Sequence, residues 1–119
     1  YLEVRSIDEC EWDCHCAGPA FYTGLIYGNL DESLDVIKKW DQSEILNAYY
    51  DSPKKGLNTM INNKTILEWG KIFLDISKDG LKKRKYINSN NQDETVFLKN
   101  VENILNEKKT RAEKVLEKL

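Results

Sequence analysis

The chain has 119 residues, enough for one domain, and its 18 Lys and Arg against 20 Asp and Glu leave a net charge of −2. That balance argues against a nucleic-acid binder, which would carry a strongly basic surface. No apolar run approaches the ~20 residues that a membrane span needs, and no secretion signal is recognisable. The three cysteines are an odd number, which fits a secreted disulfide framework poorly, so we predict a cytoplasmic location.

The first eight residues, YLEVRSID, alternate in the manner of a β-strand. Side chains two residues apart on a strand project from the same face, so Glu3 and Arg5 would lie side by side. A lone strand is not stable, and the rest of the chain predicts helices. We therefore expect residues 1–9 to form a strand that pairs with further chain preceding residue 1.

Helical periodicity predicts five or six helices after residue 18. Pro19 is suited to the first turn of an apolar, buried helix that ends at Gly28-Asn29. Ser52-Pro53 is expected to break a later helix, and the following KKGLNTMINN to form a loop. The clearest helix runs from Thr65 to about Tyr86. Polar residues that can cap the other helices are Asp31 or Ser33, Asp41 or Ser43, Asp93 or Thr95, and Thr110. The predicted fold class is mainly α, one N-terminal β-strand followed by these helices.

All three cysteines and the single histidine lie in CEWDCHC, residues 10–16. A zinc site is one interpretation, but such sites usually combine two separated pairs of ligands, and Cys14, His15 and Cys16 are consecutive. A disulfide within this loop, or from Cys16 to chain outside the sequence, is the second. The favoured interpretation is unpaired thiols in a partly buried loop, with Cys16 buried beside the apolar helix.

Two other polar features have simple structural interpretations. No nucleophile pattern accompanies His15, so we interpret it as a loop histidine and not as a general base. The basic run LKKRKY, residues 81–86, is interpreted as a solvated helix end that complements the helix dipole, and not as a nucleic-acid patch.

Glu3 and Arg5 form the most informative pair. On a strand their α-carbons would be roughly 6.5 Å apart. A carboxylate and a guanidinium at that spacing can hold a divalent cation and a phosphate oxygen side by side, because Mg²⁺ takes oxygen ligands and arginine fits phosphate as a fork. The alternative is a solvent-facing ion pair, and the spacing does not decide between the two.

The opening block of the sequence resembles one protein family. YLEVRSID, a short loop with Trp12 and Cys16, and GPAFYTGLIY are similar to the passage "YLEMRGAD … W … C … PAFWVGLLY" of plant-type glutamate–cysteine ligases. The similarity continues in order to the end of the chain. Its later pieces are Trp40, Gly56-Leu57 ("GL"), Asp79-Gly80-Leu81 with Arg84 ("DGL..R"), Asp93-Glu94 with Phe97-Leu98 ("DE..FL") and Thr110-x-Ala112-Glu113-x-x-Leu116 ("TPAE.LL").

The resemblance implies the C-terminal part of a larger α+β ligase catalytic domain, with residues 1–9 as an active-site strand, 10–18 as a Cys-rich loop and 19–119 as a helical region. Such ligases use ATP and Mg²⁺ to join the γ-carboxylate of glutamate to the amine of cysteine through a γ-glutamyl phosphate, the first step of glutathione biosynthesis. By resemblance, Glu3 is the metal ligand, and Arg5 is the catalytic and nucleotide-binding residue that contacts the transferring phosphate.

The implied partners are glutamate, cysteine, ATP and the preceding part of the ligase chain, with a homodimer possible and neither nucleic acid nor membrane expected. The fragment alone is expected to be inactive. One departure concerns the loop, where "GGPWRRLC" of the family is ECEWDCHC here. Asp13 and Cys14 replace two arginines, so any positive charge needed there must come from elsewhere, or the substrate differs. The alternative function is a stand-alone helical interaction module with a small Cys/His metal-binding loop.

Overall fold

A computed structural model describes residues 3–5, 7 and 11–119 of the chain. Six α-helices lie within these residues, and the prediction of a mainly α fold with five or six helices is confirmed. The helices are α1 (Ala17–Thr23), α2 (Leu30–Ile37), α3 (Gln42–Lys55), α4 (Ile66–Arg84), α5 (Lys99–Glu107) and α6 (Arg111–Leu116). None of the described helices is long and apolar enough to cross a membrane.

Side-chain caps fix where three of the six α-helices begin. The side chains of Thr65 and Thr110 each accept a hydrogen bond from the backbone N–H of a glutamate three residues later, and the carboxylate of that glutamate accepts one from the threonine backbone N–H. These are capping boxes, which satisfy two otherwise unpaired N–H groups at a helix start. Asp41 caps α3 through the N–H of Ser43, and Asp93 caps a 3₁₀ turn (Glu94–Leu98) that leads into α5. The predicted starts at these four residues are confirmed.

The start of α2 differs from the prediction, because Asn29 occupies the N-cap position. Ser33 lies inside the helix and is buried, and its hydroxyl donates to the carbonyl oxygens of Leu25 and Asn29 at 3.2 and 2.9 Å. A serine can satisfy its hydroxyl on a carbonyl of the preceding turn as well as at a cap, so its presence alone does not mark a helix start.

The connection between α3 and α4 also differs. Ser52-Pro53 does not end α3, which continues to Lys55. Proline removes the N–H that would bond to the carbonyl of Tyr49, and the Ser52 hydroxyl donates to that carbonyl instead, at 3.1 Å.

The predicted loop beyond α3 contains a β-hairpin, β1 (Met60–Ile61) and β2 (Lys64–Thr65). Asn62 and Asn63 at its tip both have positive φ, 45° and 63°. A two-residue turn with two positive φ values is the type I′ geometry that suits the twist of a hairpin, and asparagine adopts it more readily than most residues. The sequence therefore contains two adjacent asparagines, which are typical of this turn. The strands on either side are too short to show a strand pattern.

Helix α1 passes directly into a π-helical turn, Gly24–Gly28, and this unit packs against α4. The two backbones touch without intervening side chains, since a Cβ atom on Gly80 would overlap the carbonyl oxygen of Gly24. The first core cluster lies beside this contact and consists of Ala20, Leu74, Leu81, Leu98 and Leu105. The N-terminal helix is thus fixed to the longest helix of the chain.

A second core cluster lies on the other elements that contact α4. Its buried members are Ala48 of α3, Ile61 of β1 and Trp69 of α4. The indole N–H of Trp69 donates to the carbonyl of Ile61 at 2.8 Å, and the Trp40 ring meets that of Trp69 edge-on with centroids 5.0 Å apart. The hairpin that the sequence did not predict is therefore part of the core.

The predicted strand at residues 1–9 is not formed where the structure describes this segment. Glu3, Val4, Arg5 and Ile7 lie outside any strand or helix, and the other positions of the predicted strand lie outside the described residues. A strand requires hydrogen-bonded neighbours, and the hairpin β1–β2 is the only sheet within residues 3–5, 7 and 11–119.

Candidate active-site segment

The structure brings the two predicted site residues together. The Nε of Arg5 donates to Oε1 of Glu3 at 2.8 Å, and Nη2 donates to Oε2 at 3.3 Å. This is a bidentate pair, in which the guanidinium fork matches the two carboxylate oxygens. The Arg5 side chain is 82% exposed and that of Glu3 is 48% exposed. Of the two arrangements that the spacing allowed, the chain on its own adopts the solvent-facing ion pair.

Ile7 attaches this segment to α1. A Cβ atom on Gly18 would lie 2.6 Å from Cδ1 of Ile7 and 3.1 Å from its Cγ2, so the isoleucine occupies the space that a larger residue at position 18 would fill. Because Ile7 is two residues from Arg5, this contact places the candidate site beside the start of α1. Gly18, the first residue of the GPAF sequence, therefore allows Ile7 to pack closely against α1.

The cysteine loop is a 3₁₀ turn, Trp12–Cys14, followed by α1. Cys14 is buried and disulfide-bonded, whereas the Cys16 thiol is free and exposed. The prediction of an unpaired thiol is therefore wrong at Cys14 and confirmed at Cys16, the prediction that Cys16 is buried is wrong, and Cys10 lies outside the described residues. The tight turn directs Cys14 inward and leaves Cys16, the N-cap of α1, at the surface.

His15 and Trp12 form an exposed aromatic pair at the end of this loop. Their rings meet edge-on with centroids 5.2 Å apart, and Trp12 is 87% exposed.

Within residues 3–5, 7 and 11–119, no three His, Cys, Asp or Glu side chains are grouped so that they could hold a metal ion.

Two clefts adjoin the loop on the side of α5 and α6. One, of about 630 Å³, is mainly apolar, and Ile7, Ala17, Ile104 and Val115 are among its lining residues. The other, of about 610 Å³, is lined partly by cations, Arg111, Lys114 and Lys118, together with Glu11. Arg111 lines both clefts and thus lies where the N-terminal segment meets the C-terminal helices.

Sequence reasoning missed the residues that hold the loop against these helices. The Asn100 amide donates to the carbonyl of Asp13 at 2.8 Å, across 87 positions of the chain. The Arg111 guanidinium approaches the carboxylates of Glu11 and Asp13 at 3.7 and 3.9 Å. At position 111 the family pattern "TPAE" has proline. This difference was the sequence feature that could have drawn attention to the contact of Arg111 with the loop.

The shifted pKa values belong to helix ends and not to the candidate site. The backbone N–H of Thr65, and then its hydroxyl, lower the pKa of Glu68, and Thr110 lowers the pKa of Glu113 in the same way. The hydroxyl of Thr95 lowers the pKa of Asp93, and the hydrogen bond with Glu94 raises that of Arg84. These pKa shifts therefore come from helix caps and from an ion pair between α4 and the 3₁₀ turn before α5.

Comparison with known proteins identifies plant enzymes as relatives. The chain is 33% identical to the chloroplastic glutamate–cysteine ligase of Solanum lycopersicum and 34% identical to that of Arabidopsis thaliana. It is 32% identical to the chloroplastic enzyme of Nicotiana tabacum. Each match covers 98% of this chain and 22% of the relative, so the chain spans about a fifth of the curated relatives' length.

The prediction of a cytoplasmic location is wrong, because these relatives are named chloroplastic enzymes. It rested on cysteine number and on the lack of a recognisable signal, and neither property reports the compartment of a longer protein.

A family model matches almost the whole chain. Residues 1–118 match the model described as glutamate–cysteine ligase family 2 (GCS2). The match includes the segment with Glu3 and Arg5, the cysteine loop and all six helices. The chain therefore belongs to glutamate–cysteine ligase family 2.

Proposed function

We propose that this chain is part of an ATP-dependent ligase that joins the γ-carboxylate of L-glutamate to the amine of L-cysteine. The observation that carries the proposal is the match of residues 1–118 to the ligase family. The reaction has two steps. A γ-carboxylate oxygen of glutamate takes the terminal phosphoryl group of ATP and ADP leaves, and the cysteine amine then attacks the acyl carbon and displaces phosphate.

Arg5 is the residue that contacts the transferring phosphate in this proposal. Phosphoryl transfer is catalysed mainly by positioning and charge neutralisation, and a guanidinium provides a fork of donors for phosphate oxygens. Glu3 orients that fork in the free chain through the bidentate contact at 2.8 and 3.3 Å. Because the pair is exposed, it costs little to separate when an anion takes the place of the carboxylate.

Glu3 is the proposed ligand for Mg²⁺. Glu3 would be one of several ligands of the ion, because Mg²⁺ is commonly bound by one or two carboxylates together with water and substrate phosphates. The Glu3 carboxylate is about half exposed and its only described partner is Arg5. When bound, the metal neutralises phosphate charge. The remaining protein ligands would come from chain beyond these residues.

The isolated chain is proposed to be inactive, with residues 1–9, 10–18 and 19–119 as the active-site segment, loop and helical region of one catalytic domain. Its partners are then the rest of the ligase chain and the substrates glutamate, cysteine and ATP. A homodimer stays a prediction from the resemblance. The relatives' names support a plastid location, which a fluorescent fusion of the full-length protein would test.

The test uses the full-length protein that contains this chain. Glu3→Ala and Arg5→Ala should each abolish ATP-dependent formation of γ-glutamylcysteine while leaving the circular dichroism spectrum and melting temperature unchanged. Asp51→Ala, at another exposed ion pair, is the matched control and should keep full activity. Normal turnover in both site variants would contradict the assigned roles, and no turnover in the unmodified full-length protein would contradict the ligase proposal.

The alternative, a stand-alone module with a Cys/His metal site, has no specific observation in its favour among the described residues. Metal analysis of the purified chain separates the two. About one zinc ion per chain would support the module, and none is expected for the ligase segment.

A further inference from the structure

The loop Glu11–Cys14 is attached to the C-terminal helices at two points. Asn100 of α5 donates its hydrogen bond to the backbone of Asp13 at 2.8 Å, and this bond would form with any side chain at position 13. The second attachment depends on side-chain charge, because Arg111 of α6 lies 3.7 Å from Glu11 and 3.9 Å from Asp13. The loop position therefore depends partly on the charges at 11, 13 and 111.

Positions 13 and 111 both differ from the family pattern. The plant-type loop "PWRRLC" has an arginine where this chain has Asp13, and "TPAE" has a proline where this chain has Arg111. The two departures lie on segments 98 positions apart, yet the two side chains face each other. In this chain α6, and not the loop, carries the positive group at this contact.

The contact is suited to holding the loop. Arg111 faces two carboxylates, so the charge of its guanidinium is directed at the loop. The contacts at 3.7 and 3.9 Å are longer than hydrogen bonds and act through charge. Glu11 is 85% and Asp13 67% exposed, whereas Arg111 is 35% exposed, so the arginine is the anchored member.

The loop also adjoins the candidate active-site segment. Cys14 and Arg111 line the same cleft as Ile7, which is two residues from Arg5 and lies against Gly18. A displacement of the loop would therefore alter the surface on which the segment with Glu3 and Arg5 rests.

We propose that Arg111 is a positioning residue that fixes the loop Glu11–Cys14 against α6 through its charge contacts with Glu11 and Asp13. The effect of these contacts on stability is independent of the proposed ligase function, whereas their effect on catalysis rests on it.

The first test is a double-mutant cycle on the unfolding of the 119-residue chain, with Asp13→Arg, Arg111→Asp and the double exchange. At low salt, the double variant should be more stable than the sum of the two single effects predicts, with a coupling of about two- to five-fold in the unfolding constant. The coupling should shrink in 1 M NaCl because the pair is exposed. An acidic residue at position 111 also favours the helix start, but that effect cancels in the cycle.

The control cycle replaces Arg111→Asp by Lys118→Asp. Lys118 lines the cationic cleft together with Arg111, and its cycle with Asp13→Arg should show a smaller coupling. Additive effects at positions 13 and 111, or a coupling equal to the control and insensitive to salt, would overturn the proposal.

The second test uses the full-length protein. Asp13→Arg should lower kcat by at least several-fold with a smaller change in KM, and the double exchange should restore most of the loss. A double variant no more active than the worse single would overturn the positioning role in catalysis. Absence of activity in the unmodified protein would instead count against the proposed function, and the unfolding cycle would still decide the role of Arg111.

Discussion

The hydroxyl of Ser77 donates a hydrogen bond of 2.8 Å to the carbonyl oxygen of Phe21, 56 residues earlier in the chain. The carbonyl lies where α1 passes into the π-helical turn, a point at which the helical hydrogen bonds change register. Ser77 is fully buried, and a buried polar group without a partner is costly. The serine therefore stabilises both the turn and its contact with α4.

Replacement of this serine should destabilise the fold. Ser77→Ala removes the donor, and we expect a loss of about 1–2 kcal/mol in the free energy of unfolding. Denaturant unfolding followed by circular dichroism measures it. Ser89→Ala, at an exposed loop serine, is the control and should change the unfolding free energy by less than about 0.5 kcal/mol. Equal effects in the two variants would show that the hydrogen bond makes no net contribution to the free energy of unfolding.

Two glycines of α4 should differ sharply in their tolerance of alanine. A Cβ on Gly80 would overlap the backbone carbonyl of Gly24, which cannot move without shifting a helix, whereas a Cβ on Gly70 would lie 2.7 Å from the flexible end of Leu105. We expect Gly80→Ala to cost about 3 kcal/mol or more and Gly70→Ala clearly less, because overpacking is relieved most easily at a side-chain end. Thermal unfolding of the two variants compares them directly. A Gly80→Ala protein as stable as the Gly70→Ala protein would contradict the close backbone contact.

The capping boxes should make stability depend on acidic pH. Hydrogen bonds from Thr65 and Thr110 lower the native pKa of Glu68 and Glu113 below their ordinary value of 4.5. The folded chain then binds these protons more weakly than the unfolded chain, so the contribution is complete above pH 4.5 and is lost as the pH falls through the lowered native pKa.

Glu68→Gln with Glu113→Gln should therefore flatten the dependence of the unfolding free energy on pH below 4.5. Thr65→Ser with Thr110→Ser keeps both hydroxyls, and we expect the slope of the unmodified chain. Chemical denaturation at a series of pH values measures the slopes. A glutamine variant with an undiminished slope would assign the acid sensitivity to other groups.

The pair of Glu3 and Arg5 should contribute little to folding. Both side chains are exposed, and exposed ion pairs contribute about 0–1 kcal/mol. We expect Glu3→Gln and Arg5→Gln to change the free energy of unfolding of this chain by less than about 1 kcal/mol. Arg84→Gln is an informative comparison, because Arg84 is less exposed and joins α4 to the turn before α5 through Glu94 at 2.8 Å, so its loss should cost more. A large loss in the Glu3 variant would indicate a structural role for the pair.

Local signals predicted the helices well. Each threonine followed three residues later by glutamate, at Thr65 and Thr110, marked a helix start correctly, because a capping box is made by residues adjacent in sequence. Pro53 gave the wrong prediction, since the Ser52 hydroxyl bonds to the carbonyl that proline leaves unpaired. The hairpin around Asn62 and Asn63 was missed because its strands have two residues each and show no alternation.

The candidate site could be predicted only where it is local. The proximity of Glu3 and Arg5 follows from their spacing, and the structure shows them in contact. The approach of Arg111 to Asp13 joins opposite ends of the chain, and no periodicity or cap in either segment reports it. The burial of Cys14 and the exposure of Cys16 likewise depend on how the loop lies against the helices.

The glycine contact between the π-helical turn and α4 leaves these two backbones no room to slide past each other. We therefore expect a displacement of α4 to move α1 with it and, through the contact of Gly18 with Ile7, the residues beside Arg5. A single methyl group added at this crossing would push the two backbones apart, and we expect it to displace α1 relative to α4.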